Sequence, residues 1–295
     1  MGGPPVLSLR DAGDRAAIAE RLAEGQPAAF YLGLFTVVKL LRPPWREGDS
    51  GLFWRVKPAR PGWSKLPMLA LPRHSVRLLD PARLHPAVRP LARREAWEGI
   101  WRSVGAPLHV IAPVRRPLRW LHPAVATTPD DLAAFAADRP AARDRVIGAT
   151  TAACFWFDDP DWNDLAERLV RRATRGCVLG GTSFNEHGAH PPYTLAELEA
   201  DLAARPDVPV ELVVTDERIE AAGVFGSHTM VRLPLVGEEP ALVLAREGSV
   251  GEAWLEEALG LPVRRLESTA TAARRPGTTA EEIERCARSL AGATC

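Results

Sequence analysis

The stretch CVLGGTSFNEHGAHPPYTLAELEADLAAR, residues 177–205, contains a strand, a loop and a helix in succession. Its apolar start predicts a buried strand, and Thr194 with Glu197 three residues later predicts a capping box at the start of a helix. Because ligands of α/β sheets bind beyond the carboxyl ends of the strands, the loop between them is a candidate site for a phosphate or a ribose. Its polar side chains are Thr182, Ser183, Asn185, Glu186, His187 and His190.

Strand and helix patterns continue on both sides of this unit. Hydrophobic periodicity predicts further helices over residues 9–23, 130–138, 159–176, 250–260 (capped by Ser249) and 279–290. It predicts strands over residues 27–41, 51–56 (GLFWRV), 107–114, 149–157, 209–216, 228–235 and 240–248. Strands alternate with helices in one half and follow one another in the other, so a single α/β domain with a mixed sheet flanked by helices is expected. The domain is placed at residues 9–262, with a C-terminal helical tail over residues 263–295.

Composition indicates an ordinary globular chain. At 295 residues, with 46% hydrophobic and 25% charged residues, it is long enough to bury a core without a disulfide or a metal. The four cysteines are far apart and lack metal-binding spacing, which favours a reducing cytosol. The longest apolar run, residues 28–38, is too short to cross a bilayer. We therefore expect a cytoplasmic protein with no membrane partner.

The net charge of zero conceals an uneven distribution. Residues 39–125 hold 17 Lys and Arg against five Asp and Glu, so the rest of the chain is correspondingly acidic. A solvated surface would explain most of these charges, but the basic half also favours anionic partners such as nucleotide phosphates or RNA.

Two more groups of residues suit an anionic ligand. WRVKPARPGWSKLPML, residues 54–69, places Lys57, Arg60 and Lys65 in one short loop, and lysine with arginine suits a triphosphate or pyrophosphate. GSHTMVRL and LAREGSV, residues 226–233 and 244–250, place Ser227 and Arg246 near strand ends.

Taken in order, these motifs resemble the YrdC-like family, the threonylcarbamoyl-AMP synthases. The series is K-x-x-R-P, K-x-P-M-L, G-A-P-L-H-V-I-A-P, F-D-D-P, T-S-F-N-E-H-G, S-H-T-M-V and A-R-E-G-S-V, within residues 9–262. The resemblance implies a twisted open sheet with a basic concave face. It also implies an enzyme that condenses L-threonine, bicarbonate and ATP, with Mg²⁺, into a carbamoyl-adenylate and pyrophosphate for tRNA modification.

The resemblance also implies roles for particular residues. Lys57 and Arg60 would hold the phosphates and the carboxylated intermediate. The nucleotide would be contacted by Ser183, Asn185, Ser227 and Arg246. The amino-acid substrate would be contacted by Lys65, Thr36 and Thr182.

The sequence departs from the family pattern at several positions. YLGLFTV, residues 31–37, stands where the family has P-T-E/D-T-x-Y-G-L, which helps to hold the amino acid. Phe184, His187 and His109 replace Ala, Ser and Thr, and the apolar run at residues 155–157 replaces a basic residue. A nucleotide loop that persists beside a changed amino-acid site predicts a divergent member that takes a different amine, or one that has lost activity.

Three other interpretations compete with this one, of which the Ser–His pair is discounted on geometry. His187 and His190, with Glu186 or His228, contain metal-ligating groups, although two ligands close in sequence are a weak zinc pattern. Ser227 and His228 are nucleophile and base types, but neighbours on a strand point to opposite faces. A non-catalytic RNA-binding or regulatory protein on the same fold would use the basic half and its tryptophans to contact phosphates and bases.

Overall fold

A computed structural model describes residues 3–42, 51–58, 66–69, 72–115, 151–156, 159–172, 178–185, 189–223, 226–271 and 274–292. Its strands form one open, mixed sheet of eleven strands in the order β1-β8-β2-β3-β7-β4-β6-β5-β9-β10-β11. The strands are β1 Val6–Ser8, β2 Ala28–Tyr31, β3 Phe35–Leu41, β4 Met68–Leu69, β5 Leu108–Pro113, β6 Thr151–Trp156, β7 Val178–Ser183, β8 Leu212–Thr215, β9 Thr229–Arg232, β10 Leu242–Glu247 and β11 Val263–Thr271.

Helices flank the sheet, as expected for an α/β domain. They are α1 Ala12–Glu24, α2 Gly51–Val56, α3 Pro72–Ser75, α4 Arg94–Val104, α5 Pro160–Arg172, α6 Leu195–Ala204, α7 Glu217–Ala222, α8 Glu252–Leu259 and α9 Ala280–Gly292. Short 3₁₀ turns at Val76–Leu78, Pro81–Arg83 and Pro86–Ala92 connect α3 to α4. Among the helices, α1 packs on α5, α4 on α8, and α7 on α9.

The apolar run over residues 27–41 is not the single strand that its hydrophobicity predicts. It folds back as an antiparallel hairpin of β2 and β3, in which Tyr31 pairs with Phe35. Gly33 lies at the turn with φ of 87°, a left-handed conformation that glycine adopts at low cost. Hydrophobicity does not reveal the break, because both strands are buried along almost their whole length.

The segment GLFWRV is a helix, α2, and not the predicted strand. Leu52, Phe53 and Val56 are its buried residues. Positions i, i+1 and i+4 lie on one face of a helix, whereas in a strand they would be divided between two faces. This local pattern therefore matches a helix better than the strand that we expected.

The helix starts show where side-chain capping was predictable. The capping box of α6 is confirmed, with the Thr194 side chain bonded to the Glu197 backbone and Glu197 bonded to the Thr194 backbone. The predicted cap of α8 is wrong, because the helix begins after Gly251 and Ser249 is fully buried before it. The predicted helix over residues 130–138 and the last residues of the helix predicted over residues 159–176 lie outside the described residues.

The C-terminal segment contains a strand that the sequence pattern did not predict. β11 pairs in parallel with β10 at one edge of the sheet, and α9 follows it. Ile283, Ala287 and Leu290 of α9 are buried. The boundary at residue 262 stays a prediction. In the described part of the chain, no helix has the length and hydrophobicity that a membrane crossing requires.

Candidate functional site

The end of β7 and the start of β3 bring two of the predicted site residues together. Thr36 pairs directly with Ser183 in the antiparallel register, so both side chains point to the same face of the sheet. Both are half-buried. Thr182 pairs with Val37 and is buried on the opposite face, so the structure separates it from Thr36 and Ser183.

Lys57 reaches this face from the helix that was predicted as a strand. It follows the last residue of α2, and its Nζ donates a hydrogen bond to Ser183 Oγ at 2.8 Å. The two residues are 126 positions apart in the sequence. An ammonium group and a hydroxyl, at the carboxyl end of β7, can hold a phosphate oxygen between them. Arg60 and Lys65 lie outside the described residues.

Asn185 shapes the loop that follows β7. Its side-chain amide donates to the Ala189 carbonyl at 2.7 Å, and the residue is buried. Two more hydrogen bonds fix the surrounding backbone: Phe184 N donates to Phe35 O, and Phe35 N donates to Pro192 O. The loop is thus tied to the β2–β3 hairpin on both of its sides.

A cavity of about 380 Å³ adjoins this loop. It is lined by His190, Pro191, Pro192, Tyr193, Glu197, Asp201, Arg275 and Pro276. Burial raises the pKa of Tyr193 to about 12, so its hydroxyl stays protonated and can donate a hydrogen bond. Charges of both signs on a wall of prolines and a tyrosine suit a polar ligand with a flat, apolar part.

A second group of site residues surrounds the start of β9. The Arg246 guanidinium donates from Nε and Nη2 to the His228 carbonyl, at 3.0 and 2.8 Å. Arg246 follows a register shift in β10, and such an irregularity changes the direction in which side chains point. Burial lowers its pKa to about 10, which leaves it charged at neutral pH. Within the described residues, the guanidinium donates to a carbonyl and not to a carboxylate, which makes Arg246 a candidate to hold an anion.

Two buried imidazoles lie beside Arg246. His228 Nε2 is 2.6 Å from the Leu32 carbonyl, so this nitrogen carries the proton, and Nδ1 then accepts from His109 Nε2 at 3.4 Å. The ring centroids are 5.5 Å apart and the ring planes differ by 28°, so the two imidazoles lie nearly side by side. Burial lowers the pKa of His228 to about 4 and that of His109 well below its usual value. Both imidazoles are therefore neutral at pH 7.

The contact between Leu32 and His228 connects the two groups of residues. Leu32 lies in the β2–β3 turn, and His228 immediately precedes β9. Four strands separate β3 from β9 in the sheet, so this contact requires the sheet to curve strongly. Lys57, Ser183 and Thr36 lie on one side of the hairpin, and Arg246 is held through His228. Ser227 is buried next to His228.

The alternative chemistries find less support in the described residues. There, no three His, Cys, Asp or Glu side chains are grouped so as to hold a metal ion. Glu186 and His187 lie outside the described residues. The His228 ring is directed to His109 and Leu32, so it does not act as a base towards Ser227. Sequence reasoning missed the imidazole pair, although His109 stood out as a departure from the family pattern.

Comparisons with known proteins agree with this architecture. No protein-family profile and no curated protein matches the sequence. Among solved structures, a double variant of P. abyssi Sua5 matches with a TM-score of 0.54 and 15% identity, over 89% of this chain and 62% of that chain. P. abyssi Sua5 complexed with L-threonine matches with a TM-score of 0.54 and 15% identity, over 92% of this chain and 68% of that one. E. coli YciO matches with a TM-score of 0.49 and 12% identity, over 83% of this chain and 96% of that chain.

This chain spans less than two thirds of the first of these Sua5 structures. The similarity extends over nearly the whole of the present chain, and it agrees with the mixed, open sheet described above. The chain therefore has the fold of P. abyssi Sua5, the YrdC-like α/β fold that its motifs led us to expect.

Proposed function

We propose that this protein is an ATP-dependent carbamoyl-adenylate-forming enzyme that acts in the cytosol. It condenses an amino acid or a related amine with bicarbonate and ATP, and it releases pyrophosphate. The observation that carries the proposal is the hydrogen bond from Lys57 Nζ to Ser183 Oγ at 2.8 Å, which joins two separate motifs of the family pattern. The unpaired charge of Arg246 within the described residues supports it.

The chemistry needs positioning and fixed positive charge more than a protein nucleophile. The amine and bicarbonate form a carbamate with loss of water, and a carbamate oxygen attacks the α-phosphorus of ATP. The new bond is O–Pα, and the broken bond joins Pα to the bridging oxygen, so pyrophosphate leaves. Negative charge builds up on the leaving group, where Lys57, Arg60 and Arg246 would stabilise it.

Other residues of the site complete this proposal. Ser183, Asn185 and Ser227 would contact the nucleotide, and the cavity beside the loop would receive its nucleoside part. Mg²⁺ would enter with ATP and supply charge neutralisation, because it takes most of its ligands from phosphates and water. Thr36, which shares a face with Ser183, would contact the amine substrate together with Lys65. The Thr182 side chain lies on the opposite face of the sheet from Thr36 and Ser183, so Thr182 has no role in this proposal.

We further propose that the amine differs from L-threonine. The segment that holds the amino acid in the family is here the β2–β3 turn, whose side chains Leu32, Leu34 and Phe35 are buried and apolar. An amine with an apolar side chain would match such a wall better than one with a hydroxyl, which would need a hydrogen-bond partner.

The test is a pyrophosphate-release screen with Mg²⁺, ATP and bicarbonate across amino acids and small amines, with mass spectrometry of the adenylate. We expect release that depends on both bicarbonate and one amine. Lys57→Met removes a fixed charge near the phosphates, so it should reduce kcat/KM roughly 100-fold.

Lys39→Met is the matched control for this change. Lys39 lies three residues after Thr36 on β3 and therefore points to the other face, so its loss should leave the rate nearly unchanged. The proposal fails if no amine supports release, or if Lys57→Met and Lys39→Met have the same effect.

The uneven charge of the chain supports a second candidate, a non-catalytic RNA-binding or regulatory protein. Residues 39–125 would then contact phosphates, tRNA among them, and binding would weaken steeply with salt because counterions are released. RNA binding of this kind, in a protein that releases no pyrophosphate with any amine, would favour this candidate over the enzyme.

A further inference from the structure

Arg205 immediately follows α6 as its C-cap, and its side chain contacts two segments of the candidate site. Its Nη1 donates to the Val56 carbonyl at 3.1 Å. Its guanidinium carbon lies 4.3 Å from the centre of the Phe184 ring, a cation–π contact. Val56 and Phe184 are the immediate neighbours of Lys57 and Ser183, so Arg205 touches both segments one residue away from their hydrogen bond.

The contact with Val56 has a clear physical basis. Val56 is the last residue of α2, and the final carbonyls of a helix have no partner within it. A guanidinium at this position satisfies one of these carbonyls and interacts favourably with the negative end of the helix dipole. The direction of α2, and with it the position of Lys57, is thereby fixed from α6.

The contact with Phe184 depends on a residue that departs from the family pattern. Phe184 is fully buried, and its backbone N–H is bonded to Phe35. Burial restricts the ring and the hydrogen bond fixes its backbone, so the ring offers a stable surface for the guanidinium. An alanine at this position would offer no aromatic face for the guanidinium.

We propose that Arg205 is a positioning residue that holds Lys57 against Ser183, with Phe184 as its stacking platform. Its importance for nucleotide chemistry rests on the proposed function, whereas the geometric role can be tested without a nucleotide. Arg205 itself would not touch the substrate.

The experiment measures how fast the Lys57 amine is acetylated by a pulse of acetic anhydride, read by mass spectrometry of peptides. The chain has only three lysines, Lys39, Lys57 and Lys65, so each is resolved and Lys39 serves as the reference. Arg205→Met should raise the Lys57/Lys39 labelling ratio about threefold to tenfold, which corresponds to the net free energy of one lost hydrogen bond. Arg205→Lys, which keeps the charge and a donor, should restore part of the difference.

Phe184→Leu keeps a large apolar side chain but removes the aromatic face, and it should raise the ratio less than Arg205→Met does. The double variant should label no faster than Arg205→Met alone, because both changes act on one unit. Arg171→Met, at an exposed arginine of α5, is the matched control and should not change the ratio. General unfolding would expose Lys39 as well, so it would raise both rates together.

Ser183→Ala removes the hydroxyl that Lys57 contacts, so it should also raise the Lys57/Lys39 labelling ratio. This variant tests whether the measurement detects the Lys57–Ser183 hydrogen bond. An unchanged ratio in Arg205→Met, or in Ser183→Ala, overturns the proposal. Mg²⁺ with ATP should slow Lys57 labelling in the unchanged protein. Absence of that protection would count against the proposed function, while the ligand-free ratios would still decide the role of Arg205.

Discussion

At the scale of single residues, the sequence offered candidate site residues but not the contacts that hold them. Lys57 was expected to hold the phosphates and Ser183 to contact the nucleotide, and the structure joins the two by a hydrogen bond. Arg205 and His228 hold their neighbours through contacts with distant backbone carbonyls, those of Val56 and Leu32. No local spacing encodes such contacts, because they depend on how α2 and the β2–β3 turn pack against other parts of the chain.

The buried imidazoles predict a pH dependence of stability. The pKa of His228 falls from about 6.5 in the unfolded chain to about 4 in the folded protein because of its burial. Between these values the unfolded state binds more protons than the folded state, so stability is lost as the pH falls from about 6.5 towards 4. His228 alone should lower the free energy of unfolding by about 2 kcal/mol between pH 7 and pH 5.

Urea denaturation at both pH values measures this effect. His228→Gln should shrink the loss between pH 7 and pH 5 by about 2 kcal/mol, since the titrating group is gone. His190→Gln, at an exposed histidine, is the control and should leave the loss unchanged. Equal losses in both variants would show that His228 is not buried in its neutral form.

At the scale of secondary-structure elements, most strands and helices were predictable, and the exceptions have physical causes. The predictions for the β2–β3 hairpin and for α2 were wrong because buried runs and short segments carry little periodicity. β11 was missed because it is an edge strand whose sequence, VRRLESTAT, is mostly polar and lacks a regular alternation of apolar and polar residues. Yet the hairpin places Thr36 and α2 places Lys57. Because both elements were predicted incorrectly, the positions of these two residues could not be predicted from the sequence.

The close approach of β10 to the start of β9 yields a prediction at this scale. A Cβ on Gly248 would lie 2.5 Å from both His228 C and Thr229 N, which are backbone atoms. Thr229 Oγ1 also bonds Val250 O at 2.8 Å, so neither strand is free to shift. Gly248→Ala should therefore lower the free energy of unfolding by about 3 kcal/mol and displace the His228 carbonyl that holds Arg246.

Gly99→Ala provides the matched comparison. Gly99 lies inside α4, and an added Cβ would meet no atom within 4 Å, so alanine should stabilise the helix by about 0.5–1 kcal/mol. In urea denaturation, we expect Gly248→Ala to lower the free energy of unfolding and Gly99→Ala to raise it. A Gly248→Ala variant as stable as the unchanged protein would mean that β9 and β10 are not in close contact here.

At the scale of the whole molecule, a buried charge network joins parts of the chain that are far apart in sequence. Asp159, at the start of α5, is fully buried and accepts hydrogen bonds from Arg10 at 2.8 Å and Arg218 at 2.6 Å. Arg10 also bonds Asp216, which caps α7. The network fastens the N-terminal edge of the sheet to helices from the middle and the end of the domain.

Removal of one charge from this network should be costly, because the remaining buried charges would lose compensation. Asp159→Asn keeps an oxygen that can accept a hydrogen bond from the Trp162 backbone. The substitution therefore removes the charge while the cap at the start of α5 is kept. We expect the free energy of unfolding to fall by about 3 kcal/mol in urea denaturation, within the usual range for breaking a buried ion pair. Arg171→Gln, which breaks an exposed pair with Glu167, should change it by less than about 0.5 kcal/mol. If the two substitutions have similar effects, the network does not hold these elements together, and packing of α1 on α5 alone must account for their association.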